Sequence, residues 1–155
     1  MTKTSTPTLR HDLATVLGEL FNLHVQAVEA HAHFSGTRFI GMQNRLEAVV
    51  RTAREASDAV AELVRGSDYD GVRRFIINET PVAVPTLRPG ERCATAAVNM
   101  ISQRISLALS TIRRVYEQIG GTDQLIADLL GEIGQMVECQ GLLLTAESRR
   151  MNSRA

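Results

Sequence analysis

The sequence predicts an all-α domain, a bundle of four long helices, and three observations predict it. Apolar residues recur at three- and four-residue steps through four long segments, the helical period rather than the alternation of strands. Aromatics are scarce, four Phe and two Tyr with no Trp, among plentiful Leu, Ile, Val and Ala, a balance that suits helices packed by aliphatic side chains. The 155 residues, 44% hydrophobic, suffice for one domain to bury a core without disulfides or structural metal.

A first helix is expected from about residue 9 to 34, with Leu13, Leu17, Leu20, Phe21, His24, Val28 and His31 on its inward stripe and Gly36 as its stop. A second follows at once, about 37 to 65, carrying Phe39, Met42, Leu46, Val49, Ala53, Ala56, Val60 and Leu63. From Gly66 to Glu91 the pattern breaks into Gly, Ser, Asp and three prolines, a long crossover with one short helix near 71 to 78. The third helix, about 92 to 119, uses Ala97, Ile101, Ile105, Ala108, Ile112, Val115 and Ile119. The string GGTD then supplies a glycine stop and a Thr122 or Asp123 cap. The fourth, about 124 to 148, places Ile126, Leu129, Ile133, Met136, Gln140 and Leu144 inward. Two helical hairpins joined by one long crossover describe a four-helix bundle of ferritin-like connectivity, although receptor, chemotaxis and cytokine-like bundles share pieces of the pattern. The expected organisation is a flexible N-terminal tail over 1–8, the bundle over 9–148 and a basic C-terminal tail over 149–155.

Charge is balanced, 17 basic residues against 17 acidic, so no global field gathers nucleic acid. No window reaches the roughly 18 apolar residues of a membrane span, and the first residues lack a signal-peptide apolar run, so a cytoplasmic protein is expected. Cys93 and Cys139 match no metal spacing and are read as two free thiols, roughly 14 Å apart along the axis of the second hairpin.

The chemistry concentrates on the second helix. Gln43, Glu47, Asp58 and Glu62 fall within roughly a 100° sector of one face. Glu47 and Asp58 are nonetheless separated by roughly 16 Å of axial rise, too far for both to hold one small ion. The four positions pair about a single midpoint between residues 52 and 53. An antiparallel copy of the helix crossing there brings Gln43 and Glu47 against the Asp58 and Glu62 of a second subunit, and a two-fold dimer then has two equivalent sites. His31, delivered just before the turn, adds an imidazole beside Gln43. His33, two residues on, points to nearly the opposite side. Nitrogen with several carboxylate oxygens suits iron, manganese or zinc. The competing reading of the same face is a solvated surface whose acids pair with Arg51, Arg54 and Arg65.

The string HAHFSGTRFIGMQNRLE resembles the stretch in which the Dps mini-ferritins, DNA-binding proteins from starved cells, carry a histidine, a glycine, a Phe-Ile pair, a second histidine and an aspartate. Without a gap, His31 matches the first histidine, Gly36 the glycine, Phe39 and Ile40 the pair, Gln43 the second histidine and Glu47 the aspartate. Asp58 and Glu62 match the acidic pair contributed by a partner subunit, and GGTDQLIADLLGEI resembles the start of the last family helix. The resemblance spans about residues 9 to 147. It implies a hollow homo-dodecamer built from two-fold dimers, which oxidises iron(II) with hydrogen peroxide in preference to oxygen, stores the ferric mineral and protects against oxidative stress. His31, Glu47, Asp58 and Glu62 would be the catalytic ligands, with Gln43 in the metal site and zinc or manganese as alternative metals.

This chain departs from the pattern at Gln43, where an amide stands for an imidazole, at the longer Glu47, and at Ala32 in place of Trp. Weaker iron binding or slower ferroxidase activity is the consequence expected. Asp123, Asp128 and Glu132 are the residues the resemblance suggests for a negative pore admitting iron, against a plainer reading as helix N-terminal charge. Arg149, Arg150 and Arg154 are candidates for a DNA-binding tail, for which only weak binding is expected near neutral pH. A structural or nucleic-acid-binding cage whose metal site has decayed is the alternative function.

Overall fold

Four helices arise where the apolar period predicts them: α1 (Thr6–His33), α2 (Ile40–Arg65), α3 (Glu91–Ile119) and α4 (Gln124–Ser153). The computed structural model describes residues 6–34, 36–65 and 91–154. The short helix expected at 71–78 and the rest of the crossover lie outside the described residues, as does the Cys93 side chain. The principal pairings are α1 with α2, α1 with α3, α3 with α4 and α2 with α4, so the helices close around one core.

The first hairpin is set by local chemistry. Gly36 adopts φ of 89°, a value that costs glycine little, and opens a 3-10 turn over Thr37–Phe39 in which the Phe39 N–H donates to the Gly36 carbonyl at 3.2 Å. Phe34, 3% exposed, meets the Phe39 ring edge-to-face with centroids 5.4 Å apart, which pins the end of α1 to the start of α2. At the second hairpin Gly120, φ 48°, ends α3, and the Asp123 carboxylate caps α4 by accepting the Ile126 N–H at 3.2 Å.

Every inward position expected of α3 is buried, and on α2 Met42, Leu46, Val49, Ala53, Ala56 and Val60 are buried as the stripe requires. Val64 rather than Leu63 closes that stripe. On α1 the buried face is centred one position round from the expected one. Val16, Leu23, Ala27 and Ala30 point inward with Leu13, Leu17 and Leu20, while Phe21 and Val28 are 40% and 46% exposed. The same offset occurs on α4, where Val137 is buried and Met136 is 40% exposed. Both helices carry two adjacent apolar rows, and the core takes only one of them.

The helix ends also differ. α1 already runs from Thr6. α4 continues five residues beyond Ser148 because nothing after that position breaks it, Arg150 pairs with Glu147 one turn back, and Met151 packs against the core. Arg149 and Arg150 are therefore helical, and Arg154 is the C-cap. None of the helices among the described residues is long and apolar enough to cross a membrane.

Candidate metal centre

The acidic face of α2 is turned to solvent. Glu47, Asp58 and Glu62 are all exposed, while the intervening Leu46, Val49, Ala53, Ala56 and Val60 anchor the opposite side of the helix in the core. Glu62 is paired with Arg65, one turn on, at 2.7 Å with both side chains mostly exposed. Such a pair contributes little stability and yields readily to a stronger cation. Glu47 and Asp58 make no side-chain hydrogen bond or ion pair among the described residues, although Arg51 and Arg54 stand four residues away from them on the same helix. Their oxygens are open to a ligand.

His31 lies on the last turn of α1, half-buried and without a side-chain partner among the described residues, whereas His33 is exposed. His24, two turns earlier, is spoken for: its Nδ1 lies 3.2 Å from the Val50 carbonyl oxygen and ties α1 to α2. Gln43 has a structural task as well. Its Nε2 donates to the Phe34 carbonyl at the end of α1, leaving the amide Oε1 as its free coordinating atom.

Within one chain these residues do not converge. Among the described residues no group of three His, Cys, Asp or Glu side chains is gathered closely enough to hold a metal ion. His31, Gln43 and Glu47 lie toward the hairpin end of α2, and Asp58 and Glu62 toward its other end. Asp123 is occupied as the α4 cap, Asp128 accepts from the Gln124 side chain at 2.7 Å, and Glu132 is exposed one turn further on. Cys139 is a free, exposed thiol.

The fold is the ferritin-like four-helix bundle of Dps. The chain is similar to the structure of Dps from Microbacterium arborescens in the high iron form, at 22% sequence identity over 96% of this chain and 99% of that one, with a TM-score of 0.76. No family model matches the sequence, and no curated protein matches it.

The plainest site feature that the sequence reading missed is on α4. Arg150, in the last turns of the helix, and Arg154, its C-cap, line a cavity together with Arg38 and Glu147 instead of forming a tail. Their spacing of four residues was the available signal, and the boundary placed at Ser148 concealed it.

Proposed function

We propose that this chain is a Dps-like mini-ferritin that binds iron(II) as substrate, oxidises it with hydrogen peroxide in preference to oxygen, and stores the ferric product in a hollow dodecamer. The observation that carries this reading is the pair of exposed carboxylates Glu47 and Asp58, without partners among the described residues and about 16 Å apart along α2 of a chain with the Dps fold. Each is half of a site that an antiparallel second copy completes. One site would comprise His31, Gln43 and Glu47 of one subunit with the Asp58 and Glu62 of another. The donor set fits the substrate: carboxylate oxygens favour the harder ferric state, and one imidazole adds affinity for the ferrous ion.

Subunit association is supported by the apolar rows that the core leaves out. Leu125 and Leu142 are 75% and 69% exposed, and Phe21 and Val28 stand outward on α1. Apolar side chains at this exposure and spacing are what subunit contacts cover. Asp123, Asp128 and Glu132, near the start of α4, are assigned to a pore admitting iron, with Asp123 also serving as the helix cap.

A second reading, a cage with a weakened metal site, is favoured by Gln43, whose amide offers a metal only a weakly basic oxygen, and by the Glu62–Arg65 pair, which must be lost or shared before Glu62 serves iron. Peroxide-dependent iron(II) oxidation by the purified protein, compared with its Glu62→Ala variant, separates the two. The ferroxidase reading expects activity in the first and at least about a tenfold loss in the second, the scale expected for removal of one charged ligand. Equal, background rates in both leave the cage.

A further inference from the structure

The midpoint about which Gln43, Glu47, Asp58 and Glu62 pair, between residues 52 and 53, is also the centre of α2, which runs Ile40–Arg65. An antiparallel copy crossing there meets the helix at mid-length. Arg51 and Arg54 pair about the same midpoint, and at about 100° per residue they fall inside the sector spanned by Gln43 and Glu62. They stand on the acidic stripe itself, not beside it. Both are exposed, and neither makes a side-chain hydrogen bond or ion pair among the described residues.

At the centre of such a crossing like charge meets like. About 8 Å from the midpoint along the axis, Glu47 stands opposite the partner's Asp58, and about 2 Å from it Arg51 stands opposite the partner's Arg54. The two carboxylates repel until a cation comes between them. The nearest cations on the stripe are the guanidinia one helical turn inward. Within the chain Arg51 is four residues from Glu47 and Arg54 four from Asp58, yet neither pair is made. Across the crossing, Arg54 lies one turn from the partner's Glu47, and Arg51 one turn from the partner's Asp58. A guanidinium, with five N–H donors on a long flexible stem, suits a carboxylate at that reach.

We propose, building on the reading of a metal site divided between subunits, that Arg51 and Arg54 are its internal counter-ions. In the metal-free dimer Arg54 pairs with the partner's Glu47 and Arg51 with the partner's Asp58, and iron(II) enters by displacing them. The guanidinia offset the acid charge that otherwise pushes the two helices apart, and by the same interaction they lower the affinity of the site for metal. They are positioning residues, which hold the ligands and do not touch the ion.

The test combines titration of the chelator-treated full-length protein with zinc(II), a redox-inert probe, and thermal denaturation of the same metal-free protein. Arg51→Gln and Arg54→Gln should each tighten zinc binding about fivefold to tenfold, the effect in water of removing one unit charge about 7 Å from a divalent ion. Arg113→Gln, whose guanidinium pairs with Glu138 away from α2, should change it less than about twofold. The metal-free protein should instead melt about 2 to 4 °C lower in the Arg51→Gln and Arg54→Gln variants. Arg54 and Glu47 are seven residues apart, about 10 Å along their own helix, so coupling between them arises across subunits. Arg54→Gln should therefore lower the melting temperature less than half as much in a Glu47→Gln background as in the native one. Equal shifts in the two backgrounds, or zinc affinity unchanged by both arginine substitutions, would overturn the proposal and leave the divided site standing. A wild-type protein that sediments as a monomer would overturn both.

Discussion

Gln43 shows how much one side chain decides. An imidazole at this position offers a metal a nitrogen lone pair, whereas the amide offers a weakly basic oxygen and has already directed its N–H groups at the Phe34 carbonyl. Gln43→His is therefore expected to tighten metal binding about tenfold or more in a zinc or iron(II) titration, at a small cost in hairpin stability from the lost Phe34 bond. No change in affinity would mean that residue 43 does not face the metal. His31→Ala should lower both metal occupancy and peroxide-driven oxidation, and His33→Ala should leave both nearly intact, because His31 sits half-buried at the α1–α2 edge and His33 stands in solvent. The residue types and spacing on α2 were legible in the sequence because they recur on one helical face. The Gln43–Phe34 bond was not, since it joins a side chain to a carbonyl across a turn whose geometry depends on Gly36.

At the scale of elements, hairpins and stops were the most readable features. Gly36 and Gly120 sit where the sequence placed the stops, and of the two caps it offered, Thr122 and Asp123, the structure uses Asp123, because positive φ and an N-cap oxygen demand few residue types. Helix orientation was less readable. α1 and α4 each present two apolar rows, and periodicity alone does not tell the row buried by neighbouring helices from the row left exposed. Val137 and Met136 are adjacent examples of that ambiguity. Asp123 offers a test at this scale, because its cap geometry and its assigned pore role separate by substitution. Asp123→Asn retains a capping oxygen and should hardly alter thermal stability, while Asp123→Ala should cost about 1 kcal/mol. If Asp123→Asn also leaves iron uptake unchanged, the carboxylate serves as a helix cap alone.

For the molecule as a whole, the exposed rows on α1 and α4 and the midpoint symmetry of α2 are the observations on which the proposed assembly rests. Sedimentation at micromolar concentration should find a two-fold dimer or a dodecamer, and a stable monomer would contradict the account. DNA binding should be weak and lost as salt rises, because zero formal net charge leaves only local arginines, and these now belong to a structured helix end. A gel shift that persists at physiological salt would show otherwise. The central claim, that each metal site is divided between two subunits, is tested most directly by complementation. Glu47→Ala and Asp58→Ala proteins, each assembled alone, should both lack peroxide-driven iron oxidation. Coexpressed in equal amounts, they form hybrid dimers that contain one intact site, so random pairing should restore about a quarter of the wild-type rate. Assembly of the hybrids with no recovered activity would contradict the account.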